Sequence, residues 1–271
     1  MCITQKENQI LADLFSTASK EEILSKIPDK SWDLLRGLAY QQGLKRTKFS
    51  RNIPKNSFSK LLEDVPQSYY WVGFLLADGS ISNKGQLSVT VSGKDKEHID
   101  KFSNYVDTRI SKIKKNNFGQ EYCKVILADK AVAKKFTKKF GFNSQKTLNP
   151  PQCLKFYYDL DPLSFLSLLI GFIDGDGCIR QTNSRGKKRN KCAVQFQVHK
   201  NWLNFLTMLK IKLSEISKVS LPCPKINKRG YTYWSFGKKE TISLLRETIQ
   251  TTNITVLERK WSMVKEFYNA C

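Results

Sequence analysis

Asp78 and Asp176 stand at the same place in two near copies of one segment, 98 residues apart. The first copy reads Trp71-Val72-Gly73-Phe74-Leu75-Leu76-Ala77-Asp78-Gly79-Ser80-Ile81, and the second Leu169-Ile170-Gly171-Phe172-Ile173-Asp174-Gly175-Asp176-Gly177-Cys178-Ile179. A duplicated unit with one acid per copy brings two carboxylates to a pseudo-symmetric junction. Paired carboxylates with oxygen-only surroundings hold a hard divalent cation, the usual means of hydrolysing a phosphodiester. Rival chemistries lack their residues. Histidine occurs only at 98 and 199, and His98 sits in a charged run, Lys94–Lys101, where exposure is expected. The seven cysteines are odd in number and scattered without a CxxC pair, which argues against zinc or disulfide frameworks and for a reducing, intracellular setting.

Positioning two such acids requires helices. Gly73 and Ala77, like Gly171 and Gly175, are four residues apart and form a small-residue stripe along one helix face. Such stripes let two backbones approach closely, which would set the C-terminal ends of the two helices side by side. An acid at a helix C-terminus is disfavoured by roughly 0.3–1 kcal/mol, and two meeting there repel further, so Mg²⁺ would relieve both effects. Gly79 and Gly177 are expected to close the helices as left-handed caps. Asp174 precedes Asp176 by two positions, about 200° round a helix, so it is expected to point away from the acids and to be either structural or a support behind the site. Its counterpart in the first copy is Leu76.

The surrounding pattern also occurs twice. Pro66-Gln67-Ser68 opens the first helix, and Asp161-Pro162 supplies N-cap and first turn of the second. Alternating strands follow at Leu87–Ser92 and Val194–His199, then Lys124–Leu127 and Tyr233–Phe236, each pair closed by an amphipathic helix at Lys130–Phe140 or Lys238–Ile249. This order predicts an α+β fold with antiparallel sheets. The second copy is lengthened by a hairpin, Arg180–Lys191, with six basic residues in twelve. Upstream, helices are expected at Glu7–Phe15, Ser19–Ile27 (Ser19 and Glu22 as a capping box) and Lys30–Gln42, stopped by Gly43. Residues 46–66, with Arg46, Lys48, Arg51, Lys55 and Lys60, read as a basic linker, either following a phosphate backbone or merely solvated. With 46 basic and 24 acidic residues the net charge is +22, which points to a polyanion, above all nucleic acid. The N-terminus has no apolar signal core, and Leu163–Ile173 is too short to span a bilayer.

The two segments match the LAGLIDADG motif, and over about 200 of its 271 residues the chain resembles the single-chain, two-repeat LAGLIDADG homing endonucleases. The resemblance implies two pseudo-symmetric αββαββα repeats with saddle-shaped sheets over the DNA major groove, in domains 67–158 and 159–271. It implies Asp78 and Asp176 as metal-binding catalytic acids, with the backbone carbonyls of Ala77 and Gly175 helping to hold two or more Mg²⁺ ions. Leu76 departs from the motif's acidic sixth position, which is not the catalytic one. Lys146 and Lys260 fit the family's basic residues near the scissile phosphates. Residues 1–45 resemble the Myb-like, homeodomain-like helix-turn-helix family, beside the plainer reading of a structural three-helix bundle.

Base readers are expected on the polar strand faces: Ser88, Thr90, Ser92, Lys124, Gln195, Gln197 and Tyr233, although a solvated sheet face would look alike. Arg180, Arg185, Lys187, Lys188 and Arg189 of the hairpin, and Arg46, Lys48 and Arg51 of the linker, are expected on phosphates or flanking bases. The implied activity is Mg²⁺-dependent cleavage of both strands of double-stranded DNA at a long asymmetric site, leaving short 3′ overhangs, by a soluble monomer engaged in intron homing. The alternative is a non-cleaving relative, an RNA intron maturase or a DNA-binding regulator.

Overall fold

A computed structural model describes residues 3–18, 20–45, 57–82, 85–108, 110, 113–127, 129–184 and 187–269, without the side chains of 57, 182–191 and 265–269. The chain divides into two compact units, 1–55 and 56–271.

The first unit holds three helices: α1 (Gln5–Leu14), α2 (Lys20–Lys26) and α3 (Trp32–Gln41). Helix α1 starts two residues before expectation because Thr4 and Glu7 form a reciprocal capping box. The second capping box involves Ser19, which lies outside the described residues. Leu11, Phe15, Ile23, Ile27, Leu35 and Ala39 make the small core, and Gly43 ends the bundle at φ +72°.

The second unit opens with a 3₁₀ turn, Ser57–Leu62, that buries Phe58 and Leu61 in the main core. These residues fall in the expected linker, but two apolar side chains three apart are worth more inside than in water. Two runs of identical order follow. The first is α4 (Pro66–Asp78), β1 (Gly79–Ile81), β2 (Leu87–Ser92), α5 (Lys96–Tyr105), β3 (Lys114–Lys115), β4 (Glu121–Leu127) and α6 (Lys130–Phe140). A short helix, α7 (Leu154–Tyr158), leads into the second. That run is α8 (Pro162–Asp176), β5 (Gly177–Ser184), β6 (Lys187–His199), α9 (Leu203–Ser217), β7 (Lys225–Ile226), β8 (Tyr231–Phe236) and α10 (Lys239–Thr252), with α11 (Glu258–Asn269) beyond it.

Each run forms a four-stranded antiparallel sheet, ordered β1-β2-β4-β3 and β5-β6-β8-β7. Alternation decides the inner faces: Leu87, Val89, Val91, Cys123 and Val125 in one sheet, Ile179, Val194, Phe196, Trp234 and Phe236 in the other. Helices α4 and α8 are apolar on every side and lie at the centre, with every residue of Ser68–Ala77 and Ser164–Asp174 buried. Their contact is backbone to backbone. A Cβ at Gly73 would overlap the Leu168 carbonyl, and one at Gly171 the Tyr70 carbonyl.

The expected left-handed caps are corrected. Gly79 (φ −73°, ψ 161°) and Gly177 (φ −77°, ψ 151°) are extended and begin the next strand. Glycine is needed there for room: a Cβ would sit 2.5 Å from the Leu75 carbonyl oxygen, or 2.7 Å from that of Ile173.

Candidate active site at the paired helix ends

Helices α4 and α8 end together, so their last residues, Asp78 and Asp176, emerge side by side. A Cβ on Gly175 would strike that of Ala77 and come 3.5 Å from an Asp78 carboxylate oxygen. Both aspartates present an exposed surface, yet the helix ends strip part of their hydration. Burial, then the negative charge of Asp176, raises the Asp78 carboxyl to about 6, while Lys146 and Lys260 act the other way. Asp176 is also raised by burial and lowered by the same two lysines. Both carboxyls thus titrate above their ordinary range, chiefly because burial disfavours the ionised form, and a cation between them would reverse that.

Lys146 and Lys260 both reach the paired helix ends, and their ammonium groups face backbone. Lys146 Nζ donates to the carbonyls of Leu76 (2.9 Å) and Ala77. Lys260 Nζ lies within reach of the carbonyls of Asp174 (2.6 Å), Gly177 (2.7 Å), Ile173 (2.9 Å) and Gly175 (3.2 Å). A helix C-terminus leaves carbonyls without partners and carries partial negative charge, so an internal ammonium is a natural complement. Burial depresses both lysine pKa values, with the aspartates opposing it.

Asp174 takes the structural part expected of it. It is buried and accepts hydrogen bonds from the Tyr70 hydroxyl (2.7 Å), the Leu257 amide (2.8 Å) and Trp261 Nε1 (2.8 Å). Burial raises it to about 6, against these donors. The expectation for His98 fails. It is 3 % exposed and bonds the Tyr70 hydroxyl through Nε2 at 2.9 Å, because α5 turns His98, Ile99 and Phe102 inward. Burial lowers its pKa to about 4, leaving it neutral.

Sequence reasoning missed Tyr70, Arg259 and Asp95. Arg259 makes a two-pronged ion pair with Asp95 (2.7 and 2.9 Å), joining the segment before Lys260 to the first run. The adjacency of Arg259 to Lys260 was the only available signal.

No family model and no curated protein matches the sequence. Among solved structures, the LAGLIDADG homing endonuclease I-GzeII in complex with its DNA target is similar at 14% identity over 74% of this chain and 90% of that one, with a TM-score of 0.49. I-LtrWI bound to target DNA gives 15%, 79% and 90%, TM-score 0.46. I-SmaMI bound to cleaved DNA gives 14%, 72% and 86%, TM-score 0.45. The chain is similar to DNA-bound LAGLIDADG homing endonucleases.

The outer sheet faces hold most of the expected base readers. Thr90 and Ser92 are exposed and Lys124 half-buried, with Thr90 opposite Lys124 in the β2–β4 register. Ser92 is also engaged, capping the 3₁₀ turn at Lys94. Gln197 is exposed, Gln195 and Tyr233 are half-buried, and Gln197 pairs with Tyr233. Ser88 is corrected: it is 8 % exposed and spends its hydroxyl on Ser80 at 3.0 Å. Arg180 is exposed in β5. Lys187, Lys188 and Arg189 lie in β6, their side chains outside the description, while Arg46, Lys48, Arg51 and Arg185 lie outside the described residues altogether. Among the described residues no helix is long and apolar enough to cross a membrane.

Proposed function

We propose that this chain is a site-specific, LAGLIDADG-type endonuclease that hydrolyses both strands of double-stranded DNA with Mg²⁺. The carrying observation is the meeting of Asp78 and Asp176 at the ends of two interlocked helices, in a chain of net charge +22. The donor set fits a hard cation: two carboxylates, one raised to about 6 by burial and then by the charge of the other, with no thiol or imidazole bonded to either among the described residues. Asp78 and Asp176 would hold it. The Ala77 and Gly175 carbonyls, already accepting from lysine, retain a second lone pair each. A bound divalent ion supplies Lewis-acid stabilisation of charge on the scissile phosphate.

The chain's own residues do the rest. Lys146 and Lys260 fix the carbonyls beside the aspartates and bring two positive charges to a place where phosphorane charge develops. The outer strand faces, with Thr90, Lys124, Gln195, Gln197, Tyr233 and Arg180, offer the donors and acceptors that read base edges. Short 3′ overhangs, action as a monomer, the repeat boundaries and a secondary DNA contact by the N-terminal unit belong to the same proposal. Non-cleaving relatives often lose one or both acids, and this chain has both, which favours cleavage.

A randomised duplex library incubated with the protein in Mg²⁺, and separately in Ca²⁺, tests this. Selective cutting in Mg²⁺ is expected; binding in both without cutting overturns the reading. Asp78→Asn or Asp176→Asn should slow double-strand cleavage by about 1,000-fold while Ca²⁺-supported binding persists.

A further inference from the structure

The two lysines are held by unequal devices, each drawing partly on the opposite run. Lys146 lies in a turn whose backbone is gripped by the second run: Trp202 Nε1 donates to the Thr147 carbonyl (3.1 Å) and the Asn201 side chain to that of Leu148 (2.6 Å). Lys260 lies in the first turn of α11, and its segment is fastened at four places. Gln67 accepts from the Thr255 amide (2.9 Å), Asp174 takes the Leu257 amide and Trp261 Nε1, and Asp95 pairs with Arg259. Tyr70 of α4 adds its hydroxyl to Asp174, backed by His98.

The mirror positions carry none of this. Leu76 answers to Asp174 and Leu168 to Tyr70 in the repeated segments, and both are buried hydrocarbon. A buried carboxylate with three donors from two other elements holds them more tightly than apolar contact, because each donor left unpaired in the core costs about 1–3 kcal/mol.

We infer that Asp174 is a positioning residue for Lys260 alone, and that it makes the two halves of the active site unequal. It reaches Lys260 from both ends of the first turn of α11, through the Leu257 amide and the Trp261 ring. Among the described residues no hydrogen bond joins its side chain to Lys146 or to the turn that carries it.

Pulse acetylation of the full-length, DNA-free protein with an amine-reactive ester, read by peptide mass spectrometry, tests this at each lysine. Asp174→Leu, which copies the first run, should raise labelling of Lys260 by about tenfold and leave Lys146 unchanged. Asp174→Asn keeps one acceptor oxygen and should give a smaller rise at the same lysine, should the Leu variant not fold. Trp202→Phe should do the reverse, exposing Lys146 and sparing Lys260. An equal rise at both lysines, or none at Lys260, overturns the inference.

The consequence for cleavage rests on the nuclease reading. On a duplex that the wild type cuts, Asp174→Asn should slow one strand and accumulate a nicked product; equal slowing of both strands overturns the half-site asymmetry. The labelling needs no DNA, so failure of the nuclease reading would leave it standing.

Discussion

Asp78 shows how a partly desolvated acid weakens the fold that carries it. Its carboxyl, ordinarily near 3.8, is raised to about 6 by burial and then by Asp176. Between those values the folded chain holds a proton that the unfolded chain has released, so this group's contribution to stability is present at low pH and lost as pH rises through 6. Asp78→Asn should therefore match the wild type near pH 4 and exceed it above pH 6, by about 2 °C in Tm, measured without divalent ions. Adding Mg²⁺ should narrow that gap by stabilising the wild type alone. A gap that shrinks toward high pH would contradict the sign. The place of Asp78 at a helix end was legible in sequence because acid, helix end and glycine are local features. Ser88 and His98 were not: a period-2 or charged neighbourhood says which way a side chain faces, but not whether Ser80 or Tyr70 waits there.

At the scale of elements, the glycine stripe is the feature on which most depends. Gly73 and Gly171 lie against facing backbone, where neighbouring atoms cannot swing aside. Gly73→Ala should cost about 3 kcal/mol, seen as a lower urea midpoint, since the helices must part to admit the methyl. It should also reduce cleavage by spreading the aspartates. A comparable Gly37→Ala change, with nothing within 4 Å of the new Cβ, should be neutral or stabilising. The elements themselves were largely readable. Helix α6 falls at the expected Lys130–Phe140, and the strands follow their alternation. The two-residue strands β3 and β7 escaped because they carry no period of their own and exist by pairing with β4 and β8.

For the whole molecule the distribution of charge is informative. Residues 1–45 contain six basic and six acidic side chains, so the entire excess of +22 belongs to residues 46–271. On helix α3 the single arginine, Arg36, is bonded to Asp33 at 3.2 Å. A polyanion would thus be held mainly by the later residues. Deleting residues 1–45 should change the slope of log affinity against log salt by less than about one unit. Deleting 1–55, which also removes Arg46, Lys48, Arg51 and Lys55, should lower it by up to about 3.5 units. A large loss from the shorter deletion would instead mark the three-helix unit as a principal DNA contact.

Sequence alone determined the duplication, the paired helices with their terminal acids, and the α+β order, because each follows from residue type at fixed short spacing. Tertiary structure decided what lies across the gaps. Lys146 and Lys260 turned out to anchor helix-end carbonyls, and Asp174 to gather Tyr70, Leu257 and Trp261 from 104 and 83 to 87 residues away. Spacing along a chain encodes neighbours within one helix or strand. Partners that distant are chosen by how the packed elements meet, and a buried carboxylate keeps whichever donors that packing delivers.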